Sequence, residues 1–260
     1  MICLLGEIGV FATKHCNNKC VSCVSASPIM DPYFVNLETV KNDLSLLSKV
    51  MTAKTTSITG GEPLLHPKII DLLDIVANSK LNAKFHFLYT NGLLLPKMKN
   101  KFWETLAKNN YEINLSVYPN LPDDAIIDII NKSRKYKVSV SLRNGSWVNW
   151  IKILKDSPKG ESYFNCTGNR CTVVDEGYLY LCPESAIFPA LFGKDMSRNI
   201  DGLELKTMTQ DSLKAFLTKS DPLITCRICG GSSSDKMEWK QVNKKDWIKE
   251  SIGEIKNDMS

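Results

Sequence analysis

"IGVFATKHCNNKCVSC", residues 8–23, joins a bulky β-type run to three cysteines packed into eight positions. The run "IGVFAT" (8–13) reads as a strand, since β-branched and aromatic side chains suit a pleated surface. Downstream the pattern repeats. Leu37, Val40, Leu44, Leu47 and Val50 recur at helical steps over 37–51 behind a candidate Asn36 cap. "TTSIT" (55–59) is a second strand, and "PKIIDLLDIVANS" (67–79) a helix with Pro67 suited to its first turn. "FHFLYT" (85–90), "EINLSVY" (112–118) and "KVSVSLRN" (137–144) are three further strands, separated by helices over 99–109 and 123–136. Strand–helix alternation with such short connections predicts parallel strands and right-handed crossovers. The fold class is α/β, either an open sheet or an incomplete β/α barrel.

The bulk composition sets limits. A 260-residue chain that is 43% hydrophobic can bury one large core, with at most a small appendage. The net charge of +5 is spread along the chain, which describes a solvated surface and argues against a nucleic-acid partner. The amino-terminal stretch lacks the basic region of a signal peptide, and no run approaches the roughly 18 apolar residues of a membrane helix. A cytoplasmic protein is expected, in which nine cysteines are thiols with metal or redox work. Cys3, in an apolar strand-like stretch, reads as a buried small hydrophobe.

Cys16, Cys20 and Cys23 follow the first strand directly, in a β-to-α loop at the edge where parallel α/β folds build their sites. Thiolates at this spacing hold zinc or an iron–sulfur cluster. Three of them leave one corner of a four-iron cubane open. A zinc knuckle completed by His15 is the simplest alternative, although neighbouring side chains on an extended chain diverge.

"CNNKCVSC" followed by "TGGEP" (59–63), with "LYTNG" (88–92) ending the third strand, resembles the radical S-adenosylmethionine (SAM) superfamily. The resemblance covers residues 7–150 and implies a partial (β/α)6 TIM-like barrel. It implies a [4Fe-4S] cluster on Cys16, Cys20 and Cys23, with SAM on the fourth iron. Gly60, Gly61, Glu62 and Pro63 match the family's loop for the SAM amino group, and the resemblance suggests Asn91, Ser116 and Arg143 for its ribose or carboxylate. Ser22 stands where the family commonly carries an aromatic residue against the adenine.

The rhythm breaks after about 155, and 156–236 holds five cysteines but too little periodic apolar pattern for a large core of its own. This region resembles the auxiliary-cluster segment of twitch and SPASM domains. Gly177 with Cys182 five residues later, Cys166 upstream and the pair Cys226 and Cys229 match that pattern. The resemblance implies a second [4Fe-4S] cluster, closed by four thiolates, with Cys166 preferred to Cys171 as the fourth ligand. A structural zinc on the same residues is the alternative. "GGSSS" (230–234) reads as a flexible turn and 237–260 as an amphipathic helix with a polar tail. The expected domains are therefore 1–155, 156–236 and 237–260.

Twitch-type relatives oxidise or epimerise sugars and aminocyclitols, or modify peptides. Only 15 residues precede Cys16, so a small sugar-like substrate is expected over a peptide. An auxiliary cluster could take the electron of an oxidation, whereas a thiol donor, for which Cys171 is the candidate, would give epimerisation. An electron donor such as flavodoxin or ferredoxin is the implied partner. Peptide maturation and a non-catalytic iron–sulfur or zinc scaffold are the competing readings.

Overall fold

Strand β1 (Ile2–Thr13) runs through the interior of an eight-stranded sheet, flanked on both edges by parallel partners. The computed structural model describes residues 2–149, 161–164, 166, 171–187, 200–229 and 236–252. Along the chain follow α1 (Leu37–Ser48), β2 (Met51–Gly60), α2 (Ile69–Ala77), β3 (Phe85–Thr90), α3 (Asn100–Lys108), β4 (Tyr111–Val117), α4 (Asp123–Tyr136) and β5 (Ser139–Asn144). Next come β6 (Trp147–Asn149), α5 (Glu161–Phe164), β7 (Val173–Asp175), β8 (Tyr178–Tyr180) and α6 (Pro183–Ile187). The chain continues through β9 (Gly202–Glu204), α7 (Gln210–Leu217), β10 (Lys236–Glu238) and α8 (Lys244–Ile252). The sheet order is β5-β4-β3-β2-β1-β7-β8-β9.

The five strands expected from the sequence pair in parallel in chain order, so the α/β class and mostly parallel sheet are those predicted. A sixth parallel strand, β7, joins the far edge of β1 rather than that of β5. The antiparallel strands β8 and β9 extend the sheet from there. Boundaries moved where apolar residues fit two periods at once. Met51 continues the helical spacing of α1, yet it opens β2 and is fully buried there. The Asn36 cap is present, its Oδ1 accepting from the Glu38 and Thr39 amides at 2.9 and 3.2 Å.

Alternation along β1 divides the sheet into two faces. Ile8, Val10 and Ala12 join Ile58, Leu88, Ile113 and Leu115 in the core beneath α1–α4. Each fully buried Val, Ile or Leu side chain among them contributes about 2 kcal/mol. Val174, Leu179, Leu205 and Leu213 belong to the same core, so the cysteine-bearing region leans on the main sheet instead of building a separate interior. The opposite face carries a smaller cluster around Phe11, Val21, Tyr180 and Trp247.

Two readings shift. The stretch expected to be helical from 237 begins as β10, antiparallel to β6, and its helix starts at Lys244. The expected boundary near 155 and the "GGSSS" turn lie outside the described residues, as does the side chain of Cys3. Among the described residues no helix is long and apolar enough to cross a membrane.

Candidate active site

Parallel strands deliver their carboxyl ends to one edge of the sheet. There Cys16, Cys20 and Cys23 follow β1, Gly60 and Gly61 close β2, Asn91 follows β3, and Ser116 and Arg143 lie near the ends of β4 and β5. All eight line a single cavity of about 550 Å3. Residues brought forward separately by sequence reasoning thus meet in one place.

The second loop holds the first. Gly61 N–H donates to the Thr13 carbonyl at 2.9 Å, and Glu62 N–H to that of His15 at 3.0 Å. Gly60 has φ +133°, and a Cβ on Gly60 or Gly61 would run into the Thr13 or His15 carbonyl respectively. The close approach expected of these glycines is therefore made to the backbone that leads into the thiol loop. Glu62 is fully buried and turned inward. Its carboxylate accepts from the Leu64 amide (3.0 Å), the Thr90 hydroxyl (2.8 Å) and the Asn91 amide (2.8 Å). Burial pushes it up to about 7 against the pull of those three bonds. The carboxylate is committed to the third loop, which leaves the glycine backbone facing the cavity. Pro63 is buried at the start of a short 3-10 turn.

Asn91 links loops one and three. Its Nδ2 donates to Asn17 Oδ1 at 2.8 Å and lies 3.5 Å from Cys16 Sγ. Burial, the neighbouring Glu62 carboxylate and the other two thiols push Cys16 up to about 12. Cys20 is pushed up to about 12 by burial and Cys23, and Cys23 is raised by burial. Three thiols crowded together therefore stay protonated until a cation offsets their charge. This is the donor chemistry of a soft metal centre, whose binding releases protons. Among the described residues no three His, Cys, Asp or Glu side chains converge tightly enough to hold one metal ion. A cubane binds one thiolate at each corner and asks for a wider set. His15 is turned away from the thiols, its Nδ1 accepting from Tyr33 N–H at 3.2 Å while its ring packs on Phe34.

Sequence reasoning missed the aromatic surroundings. Tyr118 and the half-exposed Trp147 line the cavity. Tyr118 also stacks on Trp239 at 5.5 Å, beside Cys20. Ser22, the residue directly before Cys23, is buried at φ 50°. Residues 239–242 clasp the thiol loop: Val21 N–H donates to Lys240 O, and Val242 N–H to Lys19 O. No local signal could have joined positions so distant in the chain. A buried ion pair, Lys14 to Asp175 at 2.7 Å, ties the end of β1 to the β7–β8 hairpin.

The later cysteines also gather. The Cys182 thiol donates to the half-buried Glu184 carboxylate at 2.7 Å and is raised by burial, Glu184 and Cys229. Cys226 is raised by burial, with smaller contributions from Asp201, Cys166 and Glu184. The exposed Cys171 is raised by burial of its sulfur, then by Glu184, Glu7 and Cys166. Tyr89, which lines the cavity, is raised by burial and by Glu7, and Cys171 and Arg143 also act on it. Cys171 is thus in electrostatic range both of the cavity-lining Tyr89 and of Cys166 and Glu184. Cys166 and Cys171 are both in this neighbourhood. His66 and His86 are structural, bound to the Val35 carbonyl and Thr56 hydroxyl respectively.

A family model described as the radical SAM superfamily matches residues 10–156. A curated relative, GTP 3',8-cyclase of Trichodesmium erythraeum (strain IMS101), is 30% identical over 127 residues, 47% of this chain and 37% of that protein. The match therefore spans little more than a third of that relative. Native anSMEcpe with bound AdoMet and Cp18Cys peptide is similar in structure, with a TM-score of 0.53 and 14% identity over 85% of this chain and 81% of that one. BtrN in complex with AdoMet and 2-DOIA has a TM-score of 0.52 and 16% identity over 85% of each chain. At such identities these two likenesses are of fold. The family match takes in more than half of the sequence and includes the thiol loop, the glycine loop and the ends of β3, β4 and β5. The chain belongs to the radical SAM superfamily.

Proposed function

We propose that this protein is an enzyme that holds a [4Fe-4S] cluster on Cys16, Cys20 and Cys23, binds SAM in the adjoining cavity, and removes hydrogen from a small polar substrate. The observation that carries this is the shared cavity onto which three thiols, Gly60, Gly61, Asn91, Ser116 and Arg143 open. When bound, the cluster and SAM supply a one-electron cleavage to methionine and a hydrogen-abstracting 5'-deoxyadenosyl radical. The chain's own residues position and shield. Backbone at Gly60–Gly61 accepts an ammonium, Arg143 offers a guanidinium to a carboxylate, and Tyr118 and Trp147 provide the flat surface that Ser22 does not. Both fold neighbours, anSMEcpe and BtrN, were solved with AdoMet, which is consistent with this reading.

The finer part is a twitch-like second cluster on Cys182, Cys226, Cys229 and Cys166, serving as electron relay for oxidation of a sugar or aminocyclitol alcohol. In epimerisation the Cys171 thiol would return the hydrogen atom. A flavodoxin or ferredoxin would supply the first electron. The test is anaerobic reconstitution: about eight irons per chain and 5'-deoxyadenosine on reduction with SAM are expected. A colourless, zinc-loaded protein that leaves SAM intact would overturn the reading. Turnover in deuterated water separates the outcomes, because epimerisation places solvent deuterium at the reacting carbon and oxidation does not.

A further inference from the structure

On the sheet face opposite the helices, beside the smaller apolar cluster, Glu7, Ser57 and Tyr89 form a polar group. Glu7 stands on β1 one position before Ile8, which points into the helix-side core, so Glu7 points to the other face. Its Oε1 accepts from the Ser57 hydroxyl at 2.6 Å and its Oε2 from the Tyr89 hydroxyl at 3.0 Å. Tyr89 is itself part of the cavity wall, and Arg143 and Cys171 act electrostatically on it. Among the described residues no lysine, arginine or histidine forms an ion pair with Glu7.

A carboxylate offers about four acceptor sites, of which two neutral hydroxyls fill two. Water can serve the others while the site is open, but a ligand that displaces water must either satisfy them or meet a stripped charge. A β-branched side chain would serve packing better here, since among the described residues no ion pair offsets the cost of desolvating this carboxylate. We infer that Glu7, held by Ser57 and Tyr89, is a specificity residue that binds a protonated amine on the substrate. The inference rests on the proposed reading of the cavity and narrows its substrate class to amino-bearing small molecules.

Matched probes decide it. Glucosamine against glucose, and cyclohexylamine against cyclohexanol, are titrated calorimetrically into the anaerobically reconstituted, SAM-loaded protein. Each amine should bind about tenfold tighter than its alcohol, the scale of one charge-assisted hydrogen bond. Glu7→Gln should bring the two within about twofold, and Glu7→Asp, which keeps the charge, should restore part of the preference. Thermal unfolding establishes that both variants fold. Equal affinity within both pairs in the unmodified protein overturns the inference, as does a preference that survives Glu7→Gln. The titration needs no turnover, so failure of SAM cleavage would count against the proposed function and leave this readout standing.

Discussion

The two thiol groups of this molecule are built in opposite ways. Cys16, Cys20 and Cys23 share one loop, fastened by backbone bonds from Gly61 and Glu62 and by the Asn91 side chain. Cys166, Cys171, Cys182, Cys226 and Cys229 come from separate segments, with the Glu184 carboxylate among them. In the first group chain proximity sets the geometry, and the rest of the fold only stiffens it. In the second, the sheet extension β7–β9 and the segments around it bring the sulfurs together. A site of the first kind survives distant damage, whereas a site of the second kind depends on the whole architecture.

The largest effect that could break this contrast comes from single thiol replacements. Cys16→Ala should abolish 5'-deoxyadenosine formation, read by chromatography under anaerobic reduction. Cys226→Ala should lose about half of the iron while SAM cleavage continues. If the two variants behave alike, the groups are not independent centres. Next in size is Asp175→Ala, which leaves the Lys14 ammonium buried without its partner; a loss of about 3–5 kcal/mol in denaturant unfolding is expected. An unchanged midpoint would mean that the hairpin is not needed to hold the end of β1.

Gly61→Ala should cost about 1–3 kcal/mol and weaken SAM binding, because its methyl group meets the His15 carbonyl. Normal SAM affinity in that variant would show that the thiol loop tolerates displacement. The smallest effect concerns Glu62. Its ordinary value of 4.5 rises to about 7 in the fold, so the native state binds the extra proton. The stability this group contributes is complete below about 4.5 and is lost as pH climbs through about 7. Metal-free protein should therefore melt lower at pH 8 than at pH 5. Glu62→Gln should cost about 1 kcal/mol at pH 5 and flatten that decline. A parallel decline in both proteins would assign it to other groups.

Much of this was legible in the residues. The five parallel strands followed from bulky runs broken by helical spacing, and the four-residue and three-residue steps between Cys16, Cys20 and Cys23 are a local signal. Asn91, Ser116 and Arg143 could be placed at one edge because parallel strands all end there. What escaped were relations without a sequence period. Strand β7 is only three residues long and pairs with β1 across some 160 positions, so its side of the sheet could not be read locally. Trp239, stacked on the cavity-lining Tyr118, and Glu7, bonded to the cavity-lining Tyr89, are brought there by equally long-range contacts. Glu62 was recognised by its motif, but its inward turn depends on Thr90 and Asn91, which no spacing rule relates to it.

The clasp between residues 19–21 and 240–242 also sets an order in time. A ribosome delivers the cysteine loop early and its outer wall more than two hundred residues later, so a nascent chain presents these sulfurs before they are enclosed. A translation product stopped short of Trp239 would carry the three thiols yet lack the backbone bonds that close over their loop.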